Sequence, residues 1–413
     1  MNVLGIIAEY NPFHLGHAYQ IETLKKETHA DYVIIAMSGN FVQRGAPALV
    51  DKYTRARMAL ECGADLVFEL PVLFSTASAQ YFAIGGISLL ENTGVVTHLG
   101  FGTEHENLTL LKEVSDILMQ NPPVFQTRLQ QELKNGLSFP AARAKALEAV
   151  FDSKEHSNLP QIQEMLASPN NILAIEYLNA ISLLASSMVP SPLLRKGKGY
   201  HDTAISEGFC SASAIRKHLH GSKTAIDTTA MPESALQLLT DYPHAFLFED
   251  DFSQLLHYKL LTETVETLAD YADSSPELAN RMLNARYSFA SWSQFCELLK
   301  TKNTTYTRIS RLFLHLILNI TSDDYKIFQK QAPDSYLRVL GFRKSAAPLL
   351  SAIKKSAGMP LITSAADAHH HLSPDALSLL QMDITASDIY HLMLKTKGSQ
   401  QLRNDYRHPI VIV

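Results

Sequence analysis

Val3 to Ala8 reads Val-Leu-Gly-Ile-Ile-Ala, an apolar run with no polar alternation. Such a strand is buried on both faces, the situation of a parallel sheet covered by helices. The chain repeats the theme. Residues 17–28 carry Ile21 and Leu24 at helical spacing, 32–37 form a second buried run, and 54–62 read as a second helix. Residues 66–68 and 97–101 supply a third and fourth strand, 171–187 an amphipathic helix, 191–194 a last short strand, and 213–220 the start of another helix. This βαβα rhythm predicts an α/β fold with a parallel sheet and places ligands beyond the carboxyl ends of its strands. Residues 123–167 read as a helical insertion. Beyond about residue 230 strand signals thin out. Residues 254–268, 276–287, 291–300 and 306–320 read as successive helices, with short strands expected only near 360–362 and 410–413. At roughly 150 residues per domain, the chain divides into a sheet domain over 1–225 and a mostly α-helical C-terminal domain over 226–413.

The composition, 46% hydrophobic and 19% charged, suits a globular chain with ample core and excludes a disordered, collagen-like or coiled-coil one. Cys62, Cys210 and Cys296 are far apart, odd in number and form no CxxC pair, so neither a disulfide framework nor a structural zinc site is expected. The N-terminus runs straight into the first strand without a basic leader, which predicts no signal peptide. No stretch approaches the ~18 apolar residues of a membrane span, and a reducing cytoplasm is the expected location. A formal net charge of −5 argues against a nucleic-acid partner only if charge is evenly spread. Residues 201–300 hold 7 basic and 14 acidic side chains, whereas 300–355 hold 11 basic and 3 acidic, a net of +8. The basic members are Lys300, Lys302, Arg308, Arg311, Lys326, Lys330, Arg338, Arg343, Lys344, Lys354 and Lys355. The ordinary alternative is a solvated helix surface, but this imbalance is the footprint expected for a polyanion.

The strongest motif is Glu9-Tyr10-Asn11-Pro12-Phe13-His14-Leu15-Gly16-His17, between the first strand and the first helix. Free N–H groups and the helix dipole at that position favour an anion, and Gly16 lets backbone approach a ligand closely. His14 and His17 can project into one pocket and stabilise charge on a phosphorus, as imidazolium or as neutral hydrogen-bond donors. Either alone would pass for a helix-cap residue. As metal ligands they lack an obvious third partner, so no metal site is assigned. The contiguous His369, His370 and His371 receive no role.

The His14-x-Gly16-His17 tetrad resembles the HxGH signature of nucleotidylyltransferases and class I aminoacyl-tRNA synthetases. Ser211-Ala212-Ser213-Ala214-Ile215-Arg216 resembles the superfamily's second element, a serine-rich helix start ending in Ile-Arg that holds pyrophosphate. There Ser213 would cap the helix or donate to phosphate, and Arg216 would clamp it. An ordered series of further segments resembles the bacterial tRNA(Met) cytidine acetate ligase family across nearly the whole chain. It includes Ser38 to Gly45, Ala64 to Pro71, Phe101-Gly102-Thr103-Glu104, Ser168 to Leu173, Gly199 to Asp202, Thr305 to Arg311 and Arg338 to Phe342.

That resemblance implies a Rossmann-like HxGH domain over 1–225 and a tRNA-binding helical domain over 226–413. It implies acetylation of the wobble cytidine of elongator tRNA(Met) to N4-acetylcytidine, with acetate as co-substrate and ATP, with Mg2+, forming acetyladenylate and pyrophosphate. ATP would lie along Ile7, Ala8, Glu9, Tyr10, Asn11, Pro12, Phe13, His14, Leu15, Gly16, His17 and Gln20, together with Gly102, Arg195, Lys196 and Ser213. One of the adjacent amides Asn170 and Asn171 would join them; the sequence does not rank the two, and an N-cap role competes for Asn170. His14, His17 and Arg216 would be catalytic. Lys196 departs from the apolar residue that the family pattern puts after Arg195. Lys300, Lys302, Arg308 and Arg311 would meet tRNA, with Arg308 and Arg311 on one helix face. The family's Lys-Arg-Tyr-Thr is here Lys302-Asn303-Thr304-Thr305, one basic and one aromatic side chain fewer. Arg44, Lys52 and Arg55 read either as acetate or tRNA contacts or as plain surface, and Glu69 as structural. Two other functions fit parts of the pattern: a small-molecule nucleotidylyltransferase, which needs no basic helical domain, and a non-catalytic tRNA- or nucleotide-binding protein, which needs no paired histidines.

Overall fold

The computed structural model describes the chain except for residues 106, 138, 154–161, 164, 167, 196–209, 221–228 and 330–334. Ten strands occur among the described residues: β1 (Val3–Ala8), β2 (Tyr32–Ser38), β3 (Phe41–Val42), β4 (Ala46–Pro47), β5 (Leu66–Leu70), β6 (His98–Thr103), β7 (Val189–Leu194), β8 (Leu337–Phe342), β9 (Leu361–Ile362) and β10 (Val411–Ile412). The main sheet runs β10-β8-β5-β2-β1-β6-β7, with β9 beside β8. Pairing is parallel from β5 through β7. Val3, Leu4 and Ile6 of β1 are at most 1% exposed, as the unbroken apolar run requires. Helix α1 (Leu15–Glu27) follows β1, and helix α2 (Lys52–Glu61) follows β2. The chain leaves β1 for β2 on one side and later places β6 on the other. The β1/β6 gap is therefore the topological switch point, where the carboxyl ends of the strands open a crevice.

The expected insertion contains helices Pro123–Lys134 and Phe139–Ser153. The reading of 254–268 as one helix resolves into Ser253–Thr262 and Val265–Asp270, because Glu263 is extended and Thr264 starts a new cap. Strands β9 and β10 lie where short strands were expected. Strand β8 was not expected: it brings the C-terminal half into the sheet, antiparallel to β5. One apolar cluster runs from Phe68 and Leu70 to Trp292, Leu312 and Leu379, so both halves of the chain share a core. The boundary expected at 225/226 lies outside the described residues.

A tight hairpin, β3–β4, also joins the halves. Gly45 at its tip has φ +74°, and a Cβ there would lie 2.2 Å from the Arg311 amide nitrogen. Its carbonyl accepts from the Ser310 hydroxyl at 2.9 Å. Gly45→Ala is therefore expected to destabilise by about 1–3 kcal/mol, through both strain and overlap. A lowered urea midpoint with an unchanged m-value would show it.

Candidate functional site

The motif after β1 is held from behind. Tyr10, Asn11 and Phe13 are buried, and the Asn11 Oδ1 accepts from the Leu49 N–H at 2.8 Å. The Glu9 carboxylate accepts from the Gln43 N–H at 2.9 Å. Arg55, on the first turn of α2, donates to the Glu9 carbonyl at 2.7 Å, the Ser38 carbonyl at 3.0 Å and the Gly39 carbonyl. One buried guanidinium supplies donors to all three carbonyls at once.

His14 is the N-cap of α1. Its Nδ1 accepts from the Gly16 N–H at 3.0 Å, and the Nδ1 of His17 accepts from the His14 N–H at 3.3 Å. The two histidines thus form a reciprocal cap. With Nδ1 an acceptor in each, the neutral ring carries its proton on Nε2, which remains as a donor. The rings stack at 3.7 Å between centroids. Burial, reinforced by Arg195 and Arg216, pushes His14 down to about 3. Burial, then His14 and Arg195, pushes His17 well below its ordinary value. Both rings are therefore neutral at pH 7. Of the two modes open to them, donation by neutral imidazole is the one the geometry supports.

The expected free N–H groups of α1 have partners. Leu15 donates to the Ala230 carbonyl at 3.0 Å, Gly16 to His14, and His17 to the His14 carbonyl at 2.9 Å. The groups that remain near this turn are the imidazoles and the guanidinium groups of Arg195 and Arg216. Arg216 donates to the Asn11 carbonyl at 2.6 Å and to the Ser213 hydroxyl at 3.2 Å. The cap of its helix, Ala212–Leu219, is Ser211, whose hydroxyl accepts from the Ala214 N–H; Ser213 is not the cap. Arg195 follows β7, and its amide donates to the Thr103 carbonyl at the end of β6. A Cβ on Gly102 would touch the Arg195 Cγ at 3.4 Å, so Arg195 lies over that glycine. Ile7 and Ala8 end β1, Pro12 is buried in the loop, and Gln20 is half-buried on α1. Lys196 lies outside the described residues.

The two amides separate clearly. The Asn171 Oδ1 accepts from the Thr103 hydroxyl at 2.9 Å and from the Glu104 N–H at 2.8 Å, with the side chain buried. Asn170 is half-buried and donates to the Glu104 carboxylate. Ser168, not Asn170, is the N-cap of helix Pro169–Leu183. Asn171→Ala would orphan the Glu104 N–H, while the Thr103 hydroxyl keeps the His105 carbonyl at 2.9 Å, and is expected to cost about 1–3 kcal/mol of stability. Asn170→Ala is expected to leave the melting temperature nearly unchanged and to raise the KM for ATP. Thermal melts beside ATP titrations check both.

Lys52 and Arg55 prove fully buried, which removes the reading of either as a surface contact. The Lys52 Nζ lies 2.7 Å from the Glu69 carboxylate and 2.6 Å from that of Asp405. Arg338 pairs with the same two carboxylates at 2.9 and 3.0 Å. Sequence reasoning did not find this network, because its members come from distant parts of the chain. In the basic segment, Arg311 forms a bidentate pair with Asp273 at 2.8 and 2.9 Å, and the Arg308 Nε donates to the Asp273 carbonyl at 3.1 Å. Burial alone would raise the Asp273 carboxyl, but Arg311 outweighs it and holds it below the usual range. Lys300 and Lys302 are exposed. Asn303 donates to the Gly136 carbonyl at 2.8 Å, joining this loop to the turn after helix Pro123–Lys134.

The HIGH Nucleotidyl Transferase family matches residues 1–405. The chain is 38% identical to the tRNA(Met) cytidine acetate ligase of Halothermothrix orenii, over 100% of this chain and 99% of that protein. It is 36% identical to the same-named protein of Acetivibrio thermocellus, over all of both. The apo crystal structure of Thermotoga maritima TmcAL superposes with a TM-score of 0.95 at 30% identity, covering 100% of each chain. The structure of that protein bound with alpha-thio ATP gives 0.91 at the same identity and coverage. The stacked histidines at the switch point thus sit in a chain similar from end to end to these proteins, and the chain belongs to the tRNA(Met) cytidine acetate ligases within the HIGH nucleotidyl transferase family.

Proposed function

We propose that this chain is an ATP-dependent ligase that joins acetate to the wobble cytidine of elongator tRNA(Met), giving N4-acetylcytidine. One observation carries the reading: at the switch point two neutral imidazoles, each with its proton on Nε2, stand near Arg195 and Arg216, the guanidinium groups that help to lower His14. That set is built for a chain of phosphates. In the first step an acetate oxygen attacks the α-phosphorus, the bond to the bridging oxygen of pyrophosphate breaks, and acetyladenylate forms. The step needs charge neutralisation and alignment more than a base. His14 and His17 donate to phosphate oxygens, Arg216 holds the departing pyrophosphate, and Asn170 contacts the ribose or base. In the second step the cytidine N4 attacks the acetyl carbonyl, AMP leaves with the bonding pair, and the N4 proton is released. Mg2+ would neutralise phosphate charge. His14, His17, Arg195 and Arg216 offer ring nitrogens and guanidinium groups rather than hard oxygen donors, and the Glu9 carboxylate accepts from the Gln43 N–H, so the ion would be held chiefly by the triphosphate.

For tRNA, Lys300, Lys302 and Arg308 would meet phosphates, which fix register without reading bases. Arg311 shapes that face through Asp273. No helix among the described residues is long and apolar enough to cross a membrane, and a tRNA-modifying ligase would work in the cytoplasm. Acetate-dependent ATP–pyrophosphate exchange without tRNA tests the first step. Exchange that ignores acetate would instead fit a small-molecule nucleotidylyltransferase. No exchange at all would leave only a binding protein.

A further inference from the structure

Helix Pro374–Thr396 and the loop that follows it enclose a groove of about 740 Å³. Lys395, Arg403 and Arg407 line it, with Asn404, His391 and a single acidic side chain, Asp388. The three cations are exposed, and among the described residues none has an ion-pair partner. This sets them apart from Lys52, Arg311, Arg338 and Lys397, each of which is matched to a carboxylate. Unmatched like charges gathered in a concavity raise the local potential and attract a polyanion.

The loop that carries two of them is fixed from below. Asp405 is 2% exposed and bound to Lys52 and Arg338, while Arg403 and Arg407 on either side stay in solvent. The Asn404 carbonyl accepts from the Arg407 and His408 N–H groups at 3.0 Å each. The His408 ring stacks on Tyr53 at 3.5 Å. The arginine backbones are thus pre-organised, which lowers the ordering cost of binding. The helix that anchors this loop also supports the histidine motif. Lys52 anchors the groove loop through Asp405, and Arg55, three residues on, holds the carbonyl of Glu9 in the histidine motif.

We propose that this groove binds the phosphodiester backbone of the RNA substrate, with Lys395, Arg403 and Arg407 each neutralising a phosphate. The inference rests on the reading of the chain as a tRNA-modifying ligase. Exposed, separated cations suit a repeating charge; a compact anion would call for donors converging on one point.

The test measures binding of transcribed tRNA(Met) from 50 to 200 mM KCl. It compares the full chain with the triple variant Lys395→Gln, Arg403→Gln, Arg407→Gln and the charge-keeping pair Arg403→Lys, Arg407→Lys. The triple variant should bind about tenfold or more weakly, with its log K against log salt slope shallower by about 2–3, at ~0.7–0.9 per phosphate lost. The lysine pair should keep the slope. Acetate-dependent ATP–pyrophosphate exchange should be unchanged in all, which also shows that the variants fold. A triple variant with the parent affinity and slope, while the parent still acetylates tRNA, overturns the groove assignment alone. Weaker binding with an unchanged slope also overturns it, since phosphate neutralisation must change the slope. A parent chain that binds no tRNA overturns the assignment and the ligase reading together.

Discussion

Replacing His14 by Asn is expected to lower acetate-dependent ATP–pyrophosphate exchange by about 10²–10³-fold, the usual effect of losing one pre-organised donor to developing charge. Asparagine is chosen because it caps helices well. The melting temperature should therefore stay close to that of the parent, and the loss reports on the missing Nε2–H. His14→Ala removes the cap as well, which adds about 1 kcal/mol of destabilisation. The protonation state yields a second readout. Burial and the neighbouring Arg195 and Arg216 bring His14 down to about 3, and His17 is lowered too. His14 stays neutral between pH 5.5 and 8 and His17 is shifted the same way, so exchange should not decline as pH rises through that range. A mechanism that used imidazolium would lose about tenfold per pH unit above an ordinary histidine pKa near 6.5. Stability shows the same shift with its own sign. Below about pH 6.5 the unfolded chain takes up protons that the buried rings refuse, so the fold should lose stability as pH falls from there toward 3.

The second large effect is on folding. Lys52→Ala or Asp405→Ala is expected to cost about 3–5 kcal/mol, because each leaves buried charge without its partner. The side chains of Lys52 and Asp405 are both 0% exposed, so water cannot make good the loss. Lys300, paired with Glu297 at 2.7 Å on the exposed surface, is the control. Truncating it should change stability by less than about 1 kcal/mol. Urea unfolding at pH 7 compares the three. The network joins α2 and β5 to β8 and the loop at 405, so its loss should also loosen the attachment of that loop. Burial would raise the Asp405 carboxyl, but Lys52 and Arg338 outweigh it and hold it well below the carboxylate range. Its contribution to stability is therefore complete above about pH 4, the unfolded value, and is lost as pH falls below it.

What the sequence made legible was local. The apolar run of β1, the periodicity of α1 and the histidine tetrad each depend on neighbours within a few residues. The parallel order followed from their alternation. Even the short strands at the C-terminus left an apolar trace. Long-range matters were not legible. In β8, Arg338 and Gly341 interrupt Leu337, Val339 and Leu340, so the run matches neither buried strand nor helix, and its antiparallel place beside β5 has no local signal. Lys52 looked like a rim cation because its partner Asp405 is 353 positions away. The same blindness inflated the basic count of 300–355. Arg338 and Arg311 lie in that stretch, yet both are matched to carboxylates drawn from elsewhere in the chain. The cations left unmatched beside the groove, Lys395, Arg403 and Arg407, fall outside that stretch altogether. Sequence spacing also predicted free amides at the start of α1, whereas the His14 ring, the His14 carbonyl and the Ala230 carbonyl occupy them.

Nucleoside mass spectrometry of tRNA incubated with the protein, ATP and isotopically labelled acetate bears most directly on the ligase reading. The account predicts labelled N4-acetylcytidine at the wobble position of elongator tRNA(Met), with AMP and pyrophosphate formed in equal amounts. Unlabelled or absent acetylcytidine, from protein that still binds ATP and tRNA, would contradict it.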